Sequence, residues 1–176
     1  MKQVFIGGCG RSGTTFLAAL INRNTKSIVT PESQFKFDLL SRPNESGVDY
    51  LRLLENNWRF GNWGLDVHKL ASEVGNVSSL SEFLTVIVKE YGGVNGGEGA
   101  DVWIDHTPNN IDYMIPLDNI FPEAKFIHLI RDGRGVAASV MPLPWGPNTV
   151  LAAADWWMKK LAVGLAAEQF CGADRV

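Results

Sequence analysis

Residues 4–20, VFIGGCGRSGTTFLAAL, constrain the fold of this chain more than any other stretch. Val4, Phe5 and Ile6 form a short apolar run suited to a buried parallel strand. Gly7, Gly8, Gly10 and Gly13 follow, so the backbone can take positive φ and converge its N–H groups. Thr14 to Leu20 reads as the opening of a helix whose free N–H groups and positive dipole end face that loop. Strand, glycine loop and helix N-terminus together make an anion cradle, most often one for phosphate. The spacing nearly fits the triphosphate signature G-x-x-x-x-G-K-[ST], with Gly8 and Gly13 in place and Thr15 as the hydroxyl. Thr14, however, stands at the lysine position. Without that point charge the loop loses its reach to β- and γ-phosphates, which favours a guest other than a nucleoside triphosphate.

Strands and helices alternate after this unit. The first strand is read at 4–7 and its helix at 13–23, with a short second strand at 27–30 closed by Pro31. Residues 32–75 read as short helices and loops covering one end of the sheet. Ser79-x-x-Glu82 is a capping box opening a helix that Gly92-Gly93 ends, and 92–99 is a loop. Val102-Trp103-Ile104 is a third strand ending in Asp105, and Thr107-Pro108 starts another helix. Residues 125–130 form a fourth strand, followed by a helix from 133 to Val140. Asn148 caps a final helix that runs through Phe170 and stops at Gly172. This order predicts an α/β fold: three α/β/α layers around a central parallel sheet, like the P-loop nucleotide hydrolases. With 176 residues and 45% hydrophobic content, residues 1–176 suit one domain and one core. The chain ends where the pattern places another strand, so the domain is expected to lack its last strand or strands.

Composition excludes several classes. A formal net charge of −3 argues against a general nucleic-acid binder, which needs a basic face. Cys9 and Cys171 are too few for a disulfide framework or a zinc site, and Cys9 reads as a small residue in a tight turn rather than a reactive thiol. No apolar run is long enough for a membrane span, and no signal-peptide pattern precedes the first strand. A cytoplasmic protein with no membrane partner is the expectation.

Ligands of open α/β sheets bind beyond the C-terminal ends of the strands. Four such ends carry polar residues here: the glycine loop, Thr30-Pro31-Glu32-Ser33, Asp105-His106-Thr107-Pro108 and Arg131-Asp132-Gly133-Arg134. Their joint placement on one edge predicts a site. Arg131 follows the fourth strand, and Ser139 lies two helical turns on, so a guanidinium fork and a hydroxyl suit a phosphate monoester. Arg131 pairing Asp132 or capping a neighbouring loop is the structural alternative, and Arg134 reads as ion-paired or solvated.

These two segments resemble the phosphosulfate-binding motifs of sulfotransferases that use 3′-phosphoadenosine 5′-phosphosulfate (PAPS). Arg11-Ser12-Gly13-Thr14-Thr15 resembles the 5′-phosphosulfate loop, and the run from Arg131 to Ser139 resembles the 3′-phosphate motif. Arginine before Ser-Gly-Thr-Thr, followed by Pro31-Glu32-Ser33, is similar to the protein-tyrosine and bacterial branch. The resemblance covers roughly residues 4–40 and 100–170. It implies that Ser12, Gly13, Thr14 and Thr15 hold the 5′-phosphate, that Arg11 reaches the bridging oxygen or sulfuryl group, and that Arg131 and Ser139 bind the 3′-phosphate. It further implies Glu32 as general base, no metal, and an acceptor that is a small molecule, a carbohydrate or a protein tyrosine. His106 departs from the pattern, since related sequences often carry lysine there. An imidazole stabilises a leaving oxygen only when protonated, and a histidine bonded within its own loop is the alternative.

Two other functions stay open at this point. Val102-Trp103-Ile104-Asp105 resembles the strand whose aspartate holds magnesium in nucleotide triphosphatases, which suits a kinase-like phosphotransferase using ATP and magnesium. A fragment that binds nucleotide without turnover is the third. Trp156 and Trp157 read as packing residues of the last helix. Trp145 sits in a rigid Pro-Trp-Gly-Pro loop, at the acceptor entrance or over a core edge.

Overall fold

A computed structural model describes residues 1–172 and 174–176. The strands are β1 (Lys2–Gly8), β2 (Ser27–Val29), β3 (Val102–Asp105) and β4 (Lys125–Leu129). Parallel strands require crossovers, and helices supply them. Between β1 and β2 lies α1 (Thr14–Asn22). Between β2 and β3 lie α2 (Lys36–Leu39), α3 (Gly47–Leu54), α4 (Trp58–Gly61), α5 (Val67–Glu73) and α6 (Leu80–Val94). A 3-10 helix (Pro108–Tyr113) and α7 (Met114–Ile120) lead to β4, and α8 (Gly133–Val140) and α9 (Val150–Cys171) follow it. The sheet is parallel throughout, in the order β2-β3-β1-β4. The chain therefore leaves β1 toward β3 on one side and β4 on the other, and the glycine loop opens at that switch point.

Alternation along β1 sends Phe5 to one face and Val4 and Ile6 to the other. Phe5, Ile28, Trp103 and Phe126 join the larger core, with the Phe5 and Trp103 rings edge to face at 5.4 Å. Ile6 and Ile104 meet Ala18 of α1, flanked by Leu17 and Ile21. Helices thus cover both faces, as the α/β reading expects. The short helices α2 to α5 do more than close an end: Phe35, Tyr50, Leu54, Phe60 and Leu70 belong to the core beneath Phe5 and Trp103. That face carries the large rings, and their burial needs more apolar cover than one helix gives.

The boundaries differ from the sequence reading in informative places. Helix α6 continues through Gly92 and Gly93 to Val94. A Cβ at Gly92 would overlap the side chain of Ile28, so this glycine serves close helix–sheet packing rather than termination. Thr149, not Asn148, caps α9 by accepting the Ala152 N–H at 3.2 Å. Glu82 accepts the N–H of Ser78 at 3.0 Å, one residue earlier than a standard capping box. The Pro108 segment first winds as a 3-10 turn, and the α-helix waits until Met114. On the outer edge of β4, the Arg175 carbonyl accepts the Phe126 N–H at 2.8 Å.

Candidate active site

The C-terminal strand ends surround a cleft of about 790 Å³, reached by Gly8, Arg11, Glu32, Trp145, Trp156 and Lys160. Its floor is the glycine loop. Ser12 donates its N–H to the Cys9 carbonyl at 3.1 Å, which closes the turn. Gly13 sits at φ 102°, a conformation open to glycine, and a Cβ there would meet nothing within 4 Å. Arg11 holds φ 70°, alone among non-glycine residues described, at a cost of about 1–3 kcal/mol. Helix α1 then begins with no side-chain cap, so the N–H groups of its first turn face the loop. The hydroxyl of Ser12 is buried with no hydrogen-bond partner among the described residues. An uncapped helix end, an orphaned hydroxyl and a strained arginine suit an anionic guest.

Arg131 arrives at this loop from the end of β4. Its Nη1 donates to the Arg11 carbonyl at 2.8 Å, while its own carbonyl accepts the indole N–H of Trp157 at 3.0 Å. Asp132 is not its partner. The Asp132 carboxylate caps α8 and binds Arg134, whose hydrogen bonds hold that carboxyl down at about 2. Arg134 is thus ion-paired, as expected, and Arg131 is left for the loop. Ser139 departs from the simplest expectation: Arg11, not Arg131, donates to its hydroxyl, Nε to Oγ at 3.1 Å. Arg11 stands between the two: its carbonyl accepts from Arg131 and its Nε donates to Ser139.

His106 is buried, and its Nδ1 lies 3.4 Å from the Thr15 hydroxyl. It reaches the first turn of α1 rather than its own loop. Glu32 is half-buried at the cleft, and one carboxylate oxygen accepts the Gln34 amide at 3.1 Å. The structure therefore gathers Arg11, Ser12, Gly13, Thr14, Thr15, Glu32, His106, Arg131 and Ser139 along one edge.

Asp105 does not resemble an open magnesium ligand. Its Oδ2 accepts from Lys36 Nζ at 2.9 Å and from the Ser33 hydroxyl, and its Oδ1 from Thr107 N and Oγ1 at 2.8 and 2.6 Å. Burial opposes the charge of Asp105, but Lys36 and the hydrogen bonds from Ser33 and Thr107 outweigh it, holding the carboxyl below its ordinary range. Burial pulls Lys36 down, with Asp105 acting in the opposite sense. Lys36 is the functional neighbour that sequence reasoning missed, since an isolated lysine between two phenylalanines carries no periodic signal.

Trp156 corrects another expectation. It lines the cleft beside Gly10 instead of merely packing α9, while the adjacent Trp157 turns to Arg131. Trp145 is 63% exposed on the cleft wall, facing solvent rather than a core edge. Cys9 is buried, and that burial pushes its thiol up to about 11, with Lys160 acting in the opposite sense and Asp112 adding slightly to the rise. It is a turn residue, as read from the sequence. Iodoacetamide at pH 8 should leave Cys9 unmodified in the folded protein and label it after denaturation; rapid native labelling would contradict the burial.

A model of the sulfotransferase family matches residues 3–176. The chain belongs to the sulfotransferase family. This sulfotransferase chain is 28% identical over 144 residues to "Protein-tyrosine sulfotransferase 1" of Danio rerio, covering 80% of the chain and 36% of that protein. The human protein of that name matches at 26% identity, with 80% and 34% covered. The chain spans about a third of the length of these curated relatives. Among solved structures, the "Sulfotransferase Domain from the Synechococcus PCC 7002 Olefin Synthase" superposes with a TM-score of 0.63 over 99% of this chain and 63% of that one. At 19% identity that likeness is one of fold.

Proposed function

We propose that this chain moves a sulfuryl group from PAPS to a hydroxyl or amine acceptor. The observation that carries the proposal is the meeting of two basic strand ends: Arg131 on the Arg11 carbonyl at 2.8 Å, and Arg11 on Ser139 at 3.1 Å. An anion cradle beside a second arginine and a serine suits a nucleotide phosphorylated at both ends. Loop N–H groups of Ser12, Gly13, Thr14 and Thr15 would hold the 5′-phosphate, and Arg131 with Ser139 the 3′-phosphate. Arg11 supplies positive charge where negative charge develops. Glu32 takes the acceptor's proton as the new O–S bond (N–S for an amine) forms and the S–O bond to the 5′-phosphate breaks, and His106, beside Thr15, faces the departing phosphate oxygen. The donor itself contributes the activated sulfuryl group.

The kinase-like alternative fits less well. Thr14 replaces the lysine that would reach terminal phosphates, and the carboxylate of Asp105 is already occupied by protein donors. Acceptor class follows only coarsely; the relatives' names make protein tyrosine one member of a panel with carbohydrates and small alcohols. Incubation with PAPS labelled in the sulfuryl group should transfer label to at least one acceptor on that panel. Nucleotide binding without transfer to any acceptor would favour an inert nucleotide-binding fragment.

A further inference from the structure

We propose that the buried pair Lys36–Asp105 is a positioning pair that holds Glu32 at the cleft, an inference that rests on the catalytic reading of Glu32 above. Both charged side chains are fully buried. Replacing such a pair by apolar groups is often neutral or stabilising, so stability alone does not account for its presence. Its geometry suggests a directional task. Lys36 Nζ donates to Ser33 Oγ and to Asp105 Oδ2, each at 2.9 Å. Ser33, next in chain to Glu32, donates its hydroxyl to that same Oδ2 and its N–H to Thr107 Oγ1 at 2.9 Å.

Thr107 is in turn fixed by two donations to Asp105 Oδ1. Asn110 Nδ2 ties the assembly to β1 through the Ile6 carbonyl at 3.0 Å, two residues before that strand ends. Lys36 is further confined over the Phe37 ring, 4.1 Å from its centroid. The loop after β2 has six residues of backbone, Thr30 to Phe35, that no strand or helix restrains. These bonds therefore do for Glu32 what sheet pairing does for a strand residue: they fix its Cα against β3 and the cradle. Lys36 and Asp105 are shut off from the cleft by their burial and act only through Glu32.

The test is a cycle of full-length variants assayed for sulfuryl transfer and for 3′-phosphoadenosine 5′-phosphate binding. Lys36→Met with Asp105→Asn removes both charges together while keeping an acceptor for Thr107. In the wild-type background this double substitution should lower kcat about 10²-fold, the scale of a small misplacement of a reacting group. Nucleotide affinity should stay within about twofold. In the Glu32→Gln background the same substitution should cost about twofold or less, because the group it positions is already disabled. Equal losses in both backgrounds, or no loss in the first, overturn the positioning role. Should the double substitution fail to fold, Ser33→Ala, which deletes one hydroxyl, is read by the same cycle and the same criteria. A wild-type chain that binds nucleotide but transfers nothing overturns the catalytic reading, and the positioning role falls with it. Transfer by wild type with an additive cycle overturns the positioning role alone.

Discussion

Glu32→Gln should lower kcat about 10²–10⁴-fold, the usual worth of a positioned general base, while nucleotide affinity stays nearly unchanged. The substitution is close to isosteric and keeps the hydrogen-bond contact with Gln34, so the loop has no reason to rearrange. What it removes is the ability to accept a proton from the acceptor hydroxyl. In the proposed mechanism the carboxylate acts in the transition state, so the loss belongs in kcat rather than in donor binding. Single-turnover transfer kinetics alongside nucleotide titration separate the two. Full activity in the variant would remove Glu32 from the mechanism.

Arg131→Ala should abolish discrimination between 3′-phosphorylated and plain adenosine nucleotides. A hydrogen bond to a charged group contributes about 1.5–3 kcal/mol, which is roughly ten- to hundredfold in Kd. The loss should fall mainly on 3′-phosphoadenosine 5′-phosphate and only slightly on adenosine 5′-phosphate, whose proposed contacts lie with the glycine loop. Part of the loss follows from the loop itself. Arg131 steadies the Arg11 carbonyl at 2.8 Å, and Arg11 occupies a strained backbone conformation. Comparative calorimetry of the two nucleotides on both proteins measures this. Unchanged discrimination would place the 3′-phosphate elsewhere.

The cradle and its helix were legible in the sequence because their signals are local. A glycine run between an apolar triplet and a helical start admits few backbones, and β1, Gly13 and α1 appear where that logic puts them. Arg131 and Ser139 were legible for a similar reason, each sitting at a fixed offset from a strand end. Side-chain partnerships were harder to read. Arg11 reaches Ser139 across 128 positions, and no propensity announces its left-handed φ. Lys36 and Asp105 lie 69 positions apart, and only the parallel pairing of β2 with β3 brings them together. Gly92 shows the opposite error: a local breaker signal was overruled by close packing on Ile28. The aromatic wall of Trp145 and Trp156 belongs to the tertiary arrangement of α9 and its preceding loop.

The most direct test is a titration of the purified chain with 3′-phosphoadenosine 5′-phosphate, adenosine 5′-phosphate, and ATP with magnesium. The proposed pair of phosphate sites, joined through Arg11, predicts tightest binding of the first, unaffected by removal of the divalent ion, and roughly ten- to hundredfold weaker binding of the second. Preference for ATP, or equal affinity for the nucleotide lacking a 3′-phosphate, would contradict it.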